Sequence, residues 1–228
     1  MRYTESMKQI LRRQGYHALA YVMLGLVVCH AVSLLPDDGT RAMGLSAREW
    51  MLGSWVFAGA HQFWIVLFWR LEFYAHKISA WLGPAGWTIY RIGFVVFAAA
   101  RLLAIVPISF LTARSWDIPR YVSLPCVAVT SPLILWGVYS VFVHFGVNRA
   151  FGADHFDPAY RSASLEKRGI FKYVSNSMYT VVLLVLYHPG LLLQSWPGLL
   201  TAATQHAFVW CHYFCTEKPD MDDIYGRN

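Results

Sequence analysis

The chain has 228 residues, of which 57% are hydrophobic, 16% aromatic and only 14% charged, with a formal net charge of +6. A soluble domain carries roughly 25% charged residues, so this composition, with its long apolar blocks, excludes an ordinary soluble domain and indicates a polytopic membrane protein. The four cysteines lie in or beside apolar runs and form no disulfide framework.

Six apolar runs are long enough to cross or nearly cross a hydrocarbon core of about 30 Å. We predict an all-α membrane bundle with spans at residues 16–35, 51–69, 87–111, 122–147, 178–193 and 199–215. The first run is too long for the core of a secretory signal and has no convincing cleavage site, so we interpret it as a retained anchor. The fifth is short, and it needs a locally thinned bilayer or support from flanking residues.

The positive charge follows membrane topology rather than marking a surface for nucleic acid, which we do not expect as a partner. With the N-terminus inside, the inner segments hold fourteen Lys and Arg residues and the outer loops four, while Arg101 lies within the third span. Such an excess marks the cytoplasmic side. The count therefore predicts that both termini are cytoplasmic. It does not distinguish a bacterial inner membrane from the endoplasmic reticulum, because the same charge rule applies to both.

One membrane domain is expected, in which residues 1–148 are N-terminal helices and residues 149–228 form a catalytic loop, a helical hairpin and a tail. Residues 149–177 make up the longest polar segment between spans, and the charge count places this segment in the cytoplasm. Its aromatic content favours an ordered, functional loop. Two of its residues, Asp154 and His155, lie where a lipid head group would meet the interface.

Three polar stripes lead down to this loop. On the sixth span, residues at i, i+4, i+7 and i+11 share one helical face: His206, Trp210, Tyr213 and Glu217. On the fourth span, every fourth residue is polar: Ser140, His144 and Asn148. The fifth begins with Asn176, Tyr179 and Thr180. The stripes indicate either a polar site at one membrane face, or hydrogen bonds between helices and an interfacial aromatic belt.

The chemistry of these groups suggests a ligand. The start of the fifth helix offers free N–H groups and a positive dipole end to a carboxylate or phosphate. Glu217 offers the opposite charge to an ammonium or a ribose hydroxyl, and aromatic rings can stack on a base or approach a cation. A ligand with a carboxylate, an ammonium, a ribose, an adenine and a sulfonium uses all of them, and S-adenosylmethionine is such a ligand.

The motifs themselves resemble a known family. Asn176-Ser177-Met178-Tyr179 is similar to the Asn-Pro-Met-Tyr or Arg-His-Pro-x-Tyr box of the integral-membrane methyltransferases. That superfamily includes phosphatidylethanolamine N-methyltransferase and isoprenylcysteine carboxyl methyltransferase. The segment 217–225, Glu-Lys-Pro-Asp-Met-Asp-Asp-Ile-Tyr, resembles the Glu-Glu-Pro-x-x-x-Glu-Ile-Tyr tail of the phospholipid branch, and 153–156 resembles its Gly-Asp-Tyr-Phe segment. The resemblance covers residues 140–226, with departures at Ala153, Ser177 and Lys218.

The resemblance implies an S-adenosylmethionine-dependent enzyme that N-methylates the phosphatidylethanolamine head group or its mono- and dimethylated forms. The residues expected to bind the cofactor are Tyr173, Asn176, Met178, Tyr179, His206, Tyr213, Glu217 and Tyr225. Asp154 and His155 are the candidates for accepting the amine proton, with a solvent-facing loop histidine as the alternative for His155.

Four further residues are expected to bind the lipid substrate: His144, Lys167, Arg168 and Lys172. The three cationic ones can hold a lipid phosphate, or they can serve membrane topology alone. No metal is predicted, since the tract from Cys211 to Cys215 offers too few ligands. Two alternative functions stay open: carboxyl methylation of a prenylated cysteine, and a small membrane transporter or binding protein without enzymatic activity.

Overall fold

In the computed structural model of the protein, residues 2–36, 38–162 and 166–226 are described. Within these ranges the chain forms helices and no β-strand, so the predicted all-α class is confirmed. The α-helices are α1 (Arg2–Ile10), α2 (Gln14–Leu34), α3 (Ala47–Ala75), α4 (Lys77–Leu82), α5 (Ala85–Leu103), α6 (Ile105–Leu111), α7 (Arg120–Ser140), α8 (Val147–Ala150), α9 (Ser177–Thr180), α10 (His188–Leu193), α11 (Trp196–His212) and α12 (Lys218–Tyr225). Turns of 3₁₀-helix cover Ala153–His155, Pro158–Ser162, Gly169–Lys172 and Val182–Tyr187, and π-helical turns cover Val141–Phe145 and Tyr213–Glu217.

Four helical stretches in the described part of the chain are long and apolar enough to cross a membrane: Ser6–Leu34, Ala47–Ala75, Ala85–Leu111 and Arg120–Phe145. They correspond to the first four predicted spans. The fifth corresponds to the shorter apolar helix Ser177–Leu193, and the sixth to α11. With 17 residues, α11 is about 26 Å long, near the lower limit for crossing a bilayer.

Local sequence sets where the long helix α3 begins. Ser46 and Glu49 form a capping box, in which the Glu49 amide donates to Ser46 Oγ over 3.3 Å and the Ser46 amide donates to Glu49 Oε2 over 2.8 Å. These two bonds satisfy backbone donors that the first helical turn would otherwise leave unpaired. The helix then runs 29 residues to Ala75, and His76, which follows it, has a φ of 50°.

A polar cluster in the middle of the bundle joins α3, α5 and α11. Arg101 is 2% exposed and donates to the side-chain oxygen of Gln205 over 2.9 Å. Its guanidinium also lies 3.3 Å from His61 Nδ1, and its carbonyl accepts from Ser54 over 3.2 Å. The partners that an arginine needs inside a membrane protein are therefore side chains and carbonyls of neighbouring helices.

Arg70 joins the two termini at one end of the bundle, which we call the site end. Its fully buried guanidinium forms an ion pair with Asp220 of α12 at 3.1 Å. It also donates to the carbonyls of Ile10 and Arg12 over 2.9 and 2.7 Å, and to that of Cys215 over 3.0 Å. One side chain of α3 thus holds the turn after α1 and the C-terminal tail together.

Candidate functional site

The turn that opens α9 is built around Asn176. The amides of Tyr179 and Thr180 both donate to the Asn176 carbonyl over 2.9 Å, which places Ser177 at the first position of the helix. The preceding loop is fixed against α7, because the Ile170 amide donates to Ser140 Oγ over 3.0 Å. The Asn176–Tyr179 box therefore stands at a defined position at the site end.

The predicted stripe on the sixth span converges on Tyr179. His206 Nε2 donates to the Tyr179 carbonyl over 2.7 Å, and the rings of Trp210 and Tyr213 lie 5.9 and 5.8 Å from the Tyr179 ring. The Tyr179 hydroxyl donates to Glu217. The box and the tail, which are 38 residues apart in the sequence, meet at this hydrogen bond.

The tail is held in place by its second acidic residue. Pro219 and Asp220 lie in the first turn of α12 and are buried. The Asp220 carboxylate accepts from Tyr74 over 3.0 Å in addition to its pairing with Arg70. The fixed tail leaves Glu217, in the π-helical turn just before α12, facing the box.

Between box, loop and tail lies a cavity of about 730 Å³, called here the cofactor cavity. A separate groove of about 390 Å³ lies near Trp87 and Tyr160. Six of the eight predicted cofactor residues line the cofactor cavity: Asn176, Met178, Tyr179, Tyr213, Glu217 and Tyr225. Asp154 and Lys167, predicted for catalysis and for the substrate, line it too. The structure therefore brings most of the predicted residues to one place.

Burial changes the acidity of the carboxyl groups in this wall. The pKa of Glu217 is raised to about 7, mainly because burial desolvates its carboxylate. The Tyr179 hydrogen bond acts to lower this pKa, and the nearby Asp220 and Asp154 act to raise it. Desolvation also raises the pKa of Asp154, although Arg149, 3.5 Å away, acts in the opposite direction. A carboxyl that ionises near neutral pH is suited to respond to a cationic ligand.

Arg149 ties the loop to the end of the chain. Its guanidinium donates to the Tyr225 hydroxyl over 2.8 Å, pairs with Asp154 and lies over the Phe145 ring at 5.3 Å. A cation, two carboxyl groups and several aromatic rings thus share the same wall of the cofactor cavity.

Other predicted residues lie outside this wall. His206 stands behind Tyr179, and Tyr173 is 69% exposed with Lys172 over its ring at 5.6 Å. Arg168 forms an exposed ion pair with Glu166 at 2.8 Å. His144 packs with its ring 6.0 Å from that of Tyr139 and does not line the cofactor cavity.

His155, predicted to be catalytic, is enclosed by protein. Its ring stacks on Trp69 with centroids 4.1 Å apart, and Nε2 lies 3.6 Å from Asp220. The side chain has no solvent exposure and does not line the cofactor cavity. It is not a solvent-facing loop histidine either, because the loop folds it under the end of α3. Gly152 permits this fold, since its φ is +81° and a Cβ there would lie 2.3 Å from the Trp69 ring.

A second cavity, of about 350 Å³, lies deeper in the bundle and is called here the intramembrane cavity. Its walls come from α3, α5, α7, α11 and the chain from α9 onward, and most of its lining side chains are apolar. Met178 and Tyr179 line both cavities. These two residues therefore form a partition between a charged space at the site end and an apolar space within the bundle.

Sequence reasoning missed the residues that support the site. In the charge count Arg70 is only one of the fourteen inner Lys and Arg residues, and no motif gives Asp220 a role. An arginine directly following an apolar run, as in Phe68-Trp69-Arg70, is a signal for a buried partner, because burying a charge requires pairing. That partner lies 150 residues away, and no local pattern identifies it.

Residues 122–228 match the family model described as phospholipid methyltransferase. The family predicted from the box and tail is therefore confirmed, and every residue that lines the cofactor cavity lies within the matched segment. No curated protein and no solved structure matches the chain. The matched segment, residues 122–228, resembles that family, and the four long apolar helices in the described part of the chain indicate a protein that crosses a membrane.

Proposed function

We propose that the protein transfers a methyl group from S-adenosylmethionine to the amine of phosphatidylethanolamine, or of its mono- and dimethylated forms, at the cytoplasmic face of the membrane. The observation that carries this proposal is the contact of Tyr179 with Glu217, which joins the box and the tail across one cavity. The excess of Lys and Arg on the segments at the site end supports the cytoplasmic assignment.

The cofactor cavity has the size and the chemistry for this ligand. Its volume of about 730 Å³ lies within the roughly 300–1,000 Å³ of small-molecule and cofactor sites. Glu217 suits the ammonium or the ribose hydroxyls, and Lys167 and Lys218 suit the carboxylate. The aromatic rings of Tyr213 and Tyr225 can pack against the adenine or near the sulfonium. The residues present therefore fit the cofactor.

The bound cofactor supplies a methyl group already activated by its positively charged sulfur. The work left to the chain is to align the amine with that methyl group and to exclude water. Tyr179 and Met178 stand where the charged cavity meets the apolar one, and the ring contacts of Trp210 and Tyr213 with Tyr179 restrict its movement. We assign these two residues the role of aligning the reacting groups.

Phosphatidylethanolamine has apolar acyl chains and a zwitterionic head group, whereas the cofactor is polar and soluble in water. The apolar space within the bundle suits the lipid, while the charged space suits the soluble cofactor. A soluble amine would have no need of the apolar space. This pairing supports a lipid amine as the methyl acceptor.

A direct test is incubation of the purified protein with methyl-labelled S-adenosylmethionine and vesicles of defined lipid. We expect label in the lipid when the vesicles contain phosphatidylethanolamine, and none when they contain only phosphatidylcholine, whose quaternary nitrogen has no lone pair. A prenylated-cysteine peptide in neutral vesicles serves as the control for carboxyl methylation. Label in that peptide and none in phosphatidylethanolamine would overturn the proposal.

A further inference from the structure

The intramembrane cavity has walls from several helices and is open on one side, where the lining residue Phe142 is exposed. Its walls include Ile65 of α3, Val209 of α11 and Val182 after α9, and these elements pack on their neighbours. Between α5 and α7, both of which are fully described, the helices lack a closely packed interface. Apolar side chains such as Ala98 and Phe142 line the cavity at that gap. The cavity is thus positioned to receive an apolar chain from the surrounding lipid.

Polar atoms in this apolar wall are buried without a partner. Three side chains that are more than nine-tenths buried contribute them: His61, Gln62 and His212, which are 7%, 2% and 3% exposed. Within the described part of the chain, His61 Nε2, Gln62 Oε1 and both ring nitrogens of His212 find no hydrogen-bond partner. Buried polar groups are normally paired, so four such atoms around one cavity point to a ligand that supplies hydrogen bonds.

His212 stands at the end of the cavity nearest the cofactor. It is the last residue of α11 and lines the intramembrane cavity together with Trp69, Met178 and Tyr179. Its ring lies 5.7 Å from Trp69 and 5.5 Å from His17. An amine that meets the partition between the cavities therefore has an imidazole without a partner within the same space.

We propose that His212 is a catalytic residue, which accepts the proton from the ammonium of the lipid bound in the intramembrane cavity. This inference rests on the proposed function, and it names the group that makes the amine reactive. His61 and Gln62 offer further hydrogen bonds to polar groups of the same lipid deeper in the cavity.

The other two candidates are less suited to the role. Asp154 lines the cofactor cavity but not the intramembrane one, and it is paired with Arg149. His155 is covered by Trp69 and lies beside Asp220, so a lipid amine has no path to its ring. His212 alone among these three lies in the wall of the apolar cavity.

The ammonium of the lipid gives one proton to a ring nitrogen of His212, and the neutral amine then has a lone pair. That pair forms the new N–C bond to the methyl carbon, while the C–S bond breaks and its electron pair stays on sulfur. The positive charge of the sulfonium is thereby transferred to the methylated ammonium, and the imidazolium returns its proton to water.

The test compares His212→Gln with His17→Gln at saturating cofactor, between pH 7 and pH 9. At pH 7 we expect turnover of His212→Gln on phosphatidylethanolamine to fall about 100-fold, the lower end of the general-base effect. By pH 9 the deficit should shrink at least about tenfold, because an amine with a pKa near 10 loses its proton to water more often. His17, buried beside His212 but outside both cavities, is the matched control and should lose less than about twofold.

Four titratable or charged side chains face His212 and interact with it electrostatically. They are His17 of α2, His61 and Arg70 of α3, and His155 of the loop. They are common to the wild type and the variant, so the ratio of the two rates isolates His212. A deficit that is equal at pH 7 and pH 9, or a His212→Gln protein as active as the wild type, would overturn the proposal. A wild-type protein that labels no lipid would instead overturn the proposed function.

A second variant tests the cavity without changing His212. Ala98→Trp fills the gap between α5 and α7, and we expect the KM for the lipid to rise about tenfold or more while S-adenosylmethionine affinity, measured by calorimetry, stays the same. The result stands even where His212→Gln does not fold. An unchanged KM in a folded Ala98→Trp protein would show that the substrate does not occupy this cavity.

Discussion

The two cavities differ in how their walls are made. The cofactor cavity is lined by residues from the C-terminal part of the chain, from Phe145 to Tyr225, and it contains carboxyl groups and lysines. The intramembrane cavity takes residues from six stretches of chain between His61 and His212, and its few polar groups come from α3, α5, α9 and α11. A charged site can be built from short motifs, whereas an apolar one depends on how distant helices pack.

The two cavities share the partition formed by Met178 and Tyr179, and they also share supporting residues at the end of α3. Arg70 fixes Asp220 of the tail, and the neighbouring Trp69 lines the intramembrane cavity and stacks on His155. Damage to this support should therefore affect both cavities. Changes within one cavity should affect only the ligand of that cavity.

The largest effect is expected from Arg70→Leu. Removing one partner of a buried ion pair leaves the Asp220 carboxylate without its arginine, with only the Tyr74 hydroxyl and His155 beside it, which costs about 3–5 kcal/mol of stability. The unfolding midpoint in detergent should drop, and both cofactor affinity and lipid turnover should be lost. Arg168→Leu is the control, because its ion pair with Glu166 is exposed, and its loss should leave the unfolding midpoint nearly unchanged. Equal stability of the two variants would contradict this account of the support.

Glu217→Gln should affect the cofactor cavity alone. Loss of a charged hydrogen-bonding group of this kind costs about 1.5–3 kcal/mol, which weakens S-adenosylmethionine binding about 10- to 100-fold. Asp222→Asn removes the same charge from the same wall, but its carboxylate is paired with Lys218 at the surface, so a change below about threefold is expected. Titration calorimetry of the folded variants measures both, and equal affinities would remove Glu217 from the site.

The pH dependence of cofactor binding should follow Glu217. With a pKa of about 7, its carboxyl is protonated below neutral pH and becomes an anion above it. Binding of the cationic cofactor should therefore strengthen as pH rises from 6 to 8. The ligand-free protein should behave in the opposite way: the folded state holds this proton more tightly than the unfolded state, so stability falls between pH about 4.5 and 7.

Calorimetry measures how cofactor affinity changes with pH, and thermal unfolding measures how the stability of the ligand-free protein changes with pH. Glu217→Gln is the control, and neither quantity should show this pH dependence in that variant. If the wild type and Glu217→Gln show the same pH dependence of affinity, another group controls binding. The intramembrane cavity should be insensitive to this titration, so the KM for the lipid should change little over the same range.

The smallest effect is expected from Ser177→Pro, which restores the residue usual in the family's box. Ser177 is the first residue of α9, where a helix requires no backbone donor, so stability should change by about 1 kcal/mol or less. Thr180→Pro is the matched contrast, because the Thr180 amide donates to the Asn176 carbonyl and its loss should be strongly destabilising. Thermal unfolding compares them, and a Ser177→Pro protein that fails to fold would show that the helix starts elsewhere.

The sequence predicted the parts of the fold that depend on local pattern. Apolar runs located the four long membrane helices, and the spacing of His206, Trp210, Tyr213 and Glu217 predicted a common face, which the structure places against Tyr179. This face persists through a π-helical turn at its end. The contact of box and tail followed from their positions, since the box lies where the fifth apolar run begins and the tail lies where the sixth ends.

The parts it did not predict depend on packing between distant segments. The stripe on α7 was expected to reach the site, but Ser140 accepts from the loop at Ile170 and a π-helical turn at Val141–Phe145 changes the direction of the residues that follow. The partners of Arg70 and Arg101 lie 150 and 104 residues away, beyond any local pattern. His212 shows the same limit, since its lack of a partner is visible only once α11 is packed.

The most direct test of the central claim is an experimental structure of the protein with S-adenosylhomocysteine, the product of methyl transfer. We predict that the ligand lies in the cofactor cavity, beside the hydrogen bond between Tyr179 and Glu217, with its sulfur toward the partition formed by Met178 and Tyr179. Ligand density in the intramembrane cavity, or in the groove near Trp87 and Tyr160, would contradict the account.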